Sequence, residues 1–173
     1  MKNVTLAAVA LLLFAAGCGY TLIGRSGSGS HVLGRVVVHT PENGSGHPGI
    51  DLVVADALRR EVMRRTGAQL VDDDANADWV VSGKILPLLI QPASLSPVVL
   101  TLEYQVSLGL ELSARARDGR EIKGDPREMR ETERFLSSGD VEAQRKNRGE
   151  ALQRVSRLLA ARFLDRIDEE QGG

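Results

Sequence analysis

Between Leu100 and Leu112 every even position is apolar: Leu100, Leu102, Tyr104, Val106, Leu108, Leu110 and Leu112. The odd positions are Thr101, Glu103, Gln105, Ser107, Gly109 and Glu111. A strand sends alternate side chains to opposite faces, so this pattern predicts a long strand with one buried and one polar face. A helix would scatter the same leucines around its circumference. Any sheet built on this strand therefore needs a covering layer on one side only. Asp118-Gly119 predicts a two-residue hairpin turn beyond it. The chain is expected to return through Glu121–Phe135 as a charged strand, where mixed charge and Pro126 suit an edge that resists aggregation.

The rest of the chain supplies the cover. Leu33–His39 is β-branched and apolar and reads as a first strand, and the Gly-, Pro- and Asn-rich run 41–48 as a loop. Ile50, Val53, Val54, Ala57, Leu58 and Val62 recur at helical spacing. Asp51 favours the positive end of that helix, Arg64 and Arg65 the negative end, and Gly67 supplies the stop. Short strands follow at Ala68–Val71 and Trp79–Leu86, separated by the polar turn Asp72–Asp78. Asp140 is placed to cap a second helix, in which Leu152, Val155, Leu159 and Phe163 trace one stripe running on to Ile167. The order β-α-β-β-β-β-α predicts an α+β fold: one mostly antiparallel sheet of four to five strands with two helices packed on one face. Aromatic residues make up only 3% of the chain, so the core is expected to be aliphatic.

Cys18 is the only cysteine, and it ends a hydrophobic N-terminal segment. Lys2 gives a short positive start, Val4–Ala16 an apolar stretch, and Ala15, Ala16 and Gly17 the small residues a signal peptidase accepts. About 13 apolar residues fall short of the ~20 that a spanning helix needs. The segment resembles the lipobox of bacterial lipoproteins, which implies that Cys18 is acylated and becomes the mature N-terminus. More than one acyl chain makes such anchoring stable. With Cys18 consumed by lipid, no disulfide can form, and burial alone must hold the fold. Gly19, rather than an aspartate that resembles an inner-membrane retention signal, implies the periplasmic face of a Gram-negative outer membrane. The organisation expected is a signal peptide at 1–17, an acylated N-terminus and GS-rich linker at 18–31, a folded domain at 32–168 and a disordered tail at 169–173. The spacer Arg25–Ser30 (RSGSGS) spans at most about 20 Å and keeps the domain near the membrane.

Composition excludes several classes of function. A formal charge of −1, from 22 basic and 23 acidic residues with no basic block, gives no sign of nucleic-acid binding. Asp72, Asp74 and Asn76 alternate as in a calcium loop. Ala77 stands where the sharp turn needs glycine, and Gly83 where a bidentate glutamate is needed. His31, His39 and His47 fall on different elements, so no metal site is expected. Ser94 and Ser96 lack a nucleophile-elbow setting. The glycines from Gly24 to Gly29 neither follow a strand nor open a helix. No catalytic residue and no cofactor is expected.

Two features stand out from this background. Residues 86–99 (LPLLIQPASLSPVV) read as an apolar, proline-rich loop. Leu88, Leu89, Ile90 and Leu95 either meet a partner there or fold over one end of the core. Arg115, Arg117, Arg120 and Lys123 form a basic cluster astride the hairpin turn, either solubilising or binding an anionic ligand.

Several landmarks together resemble the LptE family of lipopolysaccharide-assembly lipoproteins. They are the start Cys18-Gly19-Tyr20-Thr21-Leu22 followed by Gly24-Arg25, and the strand Val36–His39 running into its loop. The segment Ala77-Asp78-Trp79-Val80-Val81-Ser82-Gly83-Lys84-Ile85, the long alternating strand and the C-terminal helix complete the order. The resemblance implies a non-enzymatic, lipid-anchored outer-membrane subunit. It sits inside the β-barrel LptD, assists the barrel's assembly and plugs a lumen through which lipopolysaccharide passes. From charge and position, Lys84, Arg115, Arg117 and Lys123 are the candidates for contact with lipopolysaccharide. The alternative expectation is a lipoprotein that activates a periplasmic peptidoglycan synthase. It shares the anchor and the ADWVVSGKI strand, but the short spacer disfavours it.

Overall fold

A computed structural model of the chain describes residues 33–95 and 101–172. Cys18 and the linker lie outside the described residues. The strands are β1 (Arg35–Val38), β2 (Glu42–Asn43), β3 (Gln69–Leu70), β4 (Trp79–Ile85), β5 (Leu89–Leu95), β6 (Thr101–Ala116), β7 (Glu121–Lys123) and β8 (Arg130–Leu136). The helices are α1 (Ile50–Arg64) and α2 (Val141–Gly172), with a 3-10 turn at Asp74–Asn76. All eight strands join one sheet, and the α+β class with two covering helices is as expected.

The alternating strand is the spine. Its C-terminal half pairs antiparallel with β4 on one side (Ile85↔Leu110 to Trp79↔Ala116) and with β7 on the other. Its N-terminal half pairs with β5 and β8 in the same way. β1 adds to β4 in parallel, and β3 adds to β1, also in parallel. The count exceeds four to five because the expected return strand is divided into β7 and β8, the segment expected as a loop supplies β5, and β2 adds a two-residue piece.

The added strand and the divided one both have local causes. Within the segment 86–99, expected as a loop, Leu89–Leu95 pairs with β6 as an edge strand. Pro92 sits opposite Tyr104 with register shifts just beyond it, and an edge tolerates a residue that lacks an N–H. The return strand is interrupted between Lys123 and Arg130. There the backbone N–H groups of Glu128 and Met129 both bond to the Asp125 carbonyl, and Pro126 occupies the resulting turn. This excursion buries Met129 against Gly124, where a Cβ would lie 2.6 Å from Met129 Cγ. The hairpin turn also differs from expectation. Ala116 N–H bonds to Arg120 O and Gly119 N–H to Ala116 O, leaving three residues in the loop, with Gly119 at φ 90°. That is the three-residue turn with a left-handed glycine.

The core lies between the sheet and the helices. Leu108, Leu110, Leu112 and Ala114 from β6 meet Val81 and Ile85 from β4. Val54, Leu58 and Val62 from α1 and Val155, Leu159, Phe163 and Ile167 from α2 close over them. Asp140 caps α2 as expected, its Oδ1 accepting from Ala143 N at 2.7 Å. The helix runs through Gly172, so residues 169–172, expected as a tail, are helical. Arg65 ties the helices together, bonding to Ala161 O at 3.2 Å and pairing with Asp165 and Asp168. Among the described residues no helix is long and apolar enough to cross a membrane.

Candidate functional site

Among the described residues nothing covers the side of the sheet away from the helices, and that side is polar. Strand register lays its residues out in rows across β4, β6 and β7: Val80, Arg115 and Glu121, then Ser82, Ser113 and Lys123, then Lys84 beside Glu111. Further along, Leu89, Ser107 and Thr132 align, then Gln91, Gln105 and Arg134. Ser82, Lys84, Gln91, Glu111 and Arg115 are all exposed. At Gly109 the face is closed by its neighbours, since a Cβ there would lie 3.2 Å from both Arg130 and Leu86.

Three of the four nominated cations share this face. Lys84 lies 3.9 Å from Glu42, and Lys123 lies 3.4 Å from Glu121. Arg115 makes no ion pair among the described residues. Arg117 differs from expectation: it lies beyond the end of β6, in the turn, and has a structural task. Its Nε and Nη2 donate to Ala77 O at 3.1 and 2.9 Å, and Nη2 lies 3.3 Å from Asp78. Arg120 is likewise occupied, bonded to Asp118 at 2.7 Å and lying 5.8 Å from the centre of the Trp79 ring.

The apolar nominees also divide. Leu89 points to the bare face and is 53% exposed. Leu88 and Ile90 are half-buried and pack on the core, in line with the second of the two expectations for them rather than with free partner contacts. Leu95 ends β5 opposite Thr101. Alternation decides the split, because neighbours in a strand face opposite ways.

Two constructions escaped the sequence reading. Asp78 clasps the ends of three segments: its carboxylate accepts from Arg35 N at 2.8 Å and from the Arg35 guanidinium at 3.2 Å, and it faces Arg117. Those bonds hold its carboxyl below the ordinary range, the Arg35 side chain first and the Arg35 backbone N–H next. Gly34, at φ 65°, makes room, since a Cβ there would sit 2.7 Å from Asp78 Oδ2. The second construction is a half-open hollow of about 530 Å³ at the hairpin end of the bare face. Ser82, Ser113 and Val80 line it together with Arg115, Arg117 and the His39–Asp74 pair. His39 Nε2 lies 3.0 Å from Asp74. The hydroxyls of Ser82 and Ser113 are 3.4 Å apart. Only the adjacency of Asp78 to Trp79 and the odd positions of β6 hinted at either construction.

The fold, a sheet with two helices on one side, is shared with solved structures that include bacterial lipoproteins. The crystal structure of rare lipoprotein B from Shewanella oneidensis has a TM-score of 0.53 at 13% identity, covering 80% of this chain and 96% of that one. Lipoprotein B from Nitrosomonas europaea, solved by solution NMR, has a TM-score of 0.50 at 14% identity, covering 90% and 94%. A hypothetical protein from Chlamydia trachomatis has a TM-score of 0.52 at 11% identity, covering 80% and 97%. At such identities the likeness concerns the fold alone. No curated protein matches the chain in sequence. The lipopolysaccharide-assembly family LptE matches residues 33–167, and the chain belongs to that family. Its role accordingly lies in lipopolysaccharide assembly, within a family of non-catalytic lipoproteins.

Proposed function

We propose that this chain is the lipid-anchored plug of an outer-membrane lipopolysaccharide translocon. Acylated Cys18 holds the domain at the periplasmic face of the outer membrane. The domain seats in the lumen of the β-barrel LptD, assists its assembly and aids delivery of lipopolysaccharide to the surface. Besides the family, the observation that carries this reading is the bare sheet face. Its serines, glutamines and paired charges match the polar interior of a transmembrane barrel and mismatch a lipid-facing surface.

Affinity capture of the full chain from detergent-solubilised membranes tests the proposal. An outer-membrane barrel is expected to co-purify in near-equal amount, and Cys18→Ala is expected to leave the chain folded but mislocalised. Capture of a peptidoglycan synthase without a barrel would overturn the proposal in favour of synthase activation.

A further inference from the structure

We infer that the outer edge of β8 accepts an added strand: an extended segment of a partner protein that alternates acidic and apolar residues. The inference does not rest on the proposed function. An unpaired sheet edge is a template for another strand, so proteins keep edges short, irregular or interrupted by proline. The other edges of this sheet follow that rule. β2 and β3 have two residues each and β7 has three, while β5 carries Pro92 and shifts of register. β8 breaks it: Arg130–Leu136 runs seven residues in unbroken register with β6 and contains no proline. Its charges do not guard it either, because each is directed to a neighbour within the chain. Glu133 and Glu131 reach Arg154 and Arg162 of α2 at 2.8 and 2.6 Å. Arg134 lies 3.8 Å from Glu103 on β6, and Arg130 lies over Gly109.

The backbone of β8 is oriented for such an addition. Leu110 N–H bonds to Met129 O, so in this register the odd residues of β8 bond to β6. Arg130, Thr132, Arg134 and Leu136 therefore turn their backbone groups outward. Two of those groups carry side-chain stand-ins: Thr132 N–H donates to Glu131 Oε1 at 3.1 Å, and Leu136 O accepts from Asn147 Nδ2 at 3.0 Å. Among the described residues no strand pairs with this edge. An added strand replaces the stand-ins with a ladder.

Charge selects the occupant. A second copy, related by a two-fold axis with the helices on one side, sets Glu131 opposite Glu133 when centred on Thr132. Centred on Glu131, Glu133 or Arg134, it sets that residue opposite itself. Like charges directly opposite are destabilising, so a strand of a different protein fits better. On the uncovered side that strand meets Arg130 and Arg134, and Arg130 has no ion pair among the described residues, which calls for acidic residues there. On the helix side Glu131 and Glu133 are already neutralised. Leu158, four residues from both Arg154 and Arg162, is 43% exposed and flanks β8 with an apolar side chain. The alternate positions of the added strand are therefore apolar.

Amide hydrogen exchange, read by NMR on the full chain in neutral detergent, tests the edge. The probes are capped peptides as long as β8: one alternating glutamate and valine, one alternating lysine and valine, and the glutamate peptide with a central proline. With the first at about ten times its Kd, exchange at Thr132 and Arg134 is expected to slow about tenfold, while Glu133, already bonded to β6, changes little. The lysine and proline peptides are expected to bind at least about tenfold more weakly. Thr132→Pro removes an outward N–H that an edge position can spare, and is expected to abolish binding while the melting temperature holds. Leu158→Gln, on the exposed side of α2, is expected to weaken binding severalfold and to melt like the parent. Absence of binding by the glutamate peptide would overturn the inference. So would equal affinity of the lysine or proline peptide, or equal slowing at Glu133 and Arg134. Slowing that grows with protein concentration and needs no peptide would assign the edge to a second copy and overturn the inference as well. Failure here leaves barrel capture untouched, so the two proposals fall separately.

Discussion

The two faces of β6 are made by the same strand and answer to different physics. Even residues from Val106 to Ala116 are buried against helices, and Leu108 and Leu110 are almost completely shielded from water. Odd residues Glu111 and Arg115 stand in solvent, with Ser107 and Ser113 half-exposed beside them. The buried face sets stability through area removed from water, at roughly 25 cal/mol per Å². The bare face contributes little to stability and is therefore free to be shaped for binding. Its ion pairs, exposed and at 3.4–3.9 Å, belong to the weak surface class. One strand thus separates folding from function by parity alone.

The largest effect that sharpens this contrast lies on the buried side. Phe163 is fully buried between the sheet and α1, and Phe163→Ala is expected to destabilise by ~3–5 kcal/mol in denaturant unfolding. A loss under ~1 kcal/mol would mean that the helix layer is not a load shared with the sheet. Next comes Gly83, which pairs with Leu112 where β4 lies beside β6. A Cβ on Gly83 would overlap the carbonyl oxygen of Glu111, so Gly83→Ala is expected to cost about 1–3 kcal/mol, read as a lowered melting temperature.

The smallest stability effect is at Asp78. Its folded pKa is depressed, so its contribution is complete above the unfolded value of about 3.9 and is lost as pH falls through the lower folded value. The side chain is 38% exposed, so water screens the pair and the loss stays under about 1 kcal/mol. In a pH series of unfolding curves, Asp78→Asn is expected to lower stability at neutral pH and to flatten the acid limb. An unchanged acid limb would show that other carboxylates govern it.

Parity also explains what was legible in the sequence. The long strand, both helices and the cap at Asp140 all follow from periodicity and local backbone chemistry. The segment around Leu89 misled because three prolines suggest irregular chain. An edge strand needs hydrogen bonds on one side only, and a register shift absorbs the rest. The return strand misled because its charges alternate across Gly124–Met129, and only three-dimensional packing shows Met129 pulled into the core. For the site, charge composition located Arg115. That Arg117 is committed to Ala77 and Asp78 depends on a contact between segments about forty residues apart. No local pattern encodes such a contact.

The central claim is that the bare face is the working face, and one paired measurement tests it directly. Ser107→Trp places bulk in the middle of that face, between Leu89 and Thr132. Gln153→Trp places the same bulk on the exposed side of α2. Each full chain is captured from membranes and the co-purifying barrel is quantified, with melting temperatures measured alongside. The account predicts that Ser107→Trp loses most of the barrel, that Gln153→Trp retains it, and that both melt close to the parent. Retention of the barrel by Ser107→Trp together with its loss in Gln153→Trp would contradict the account and assign the interface to the helices.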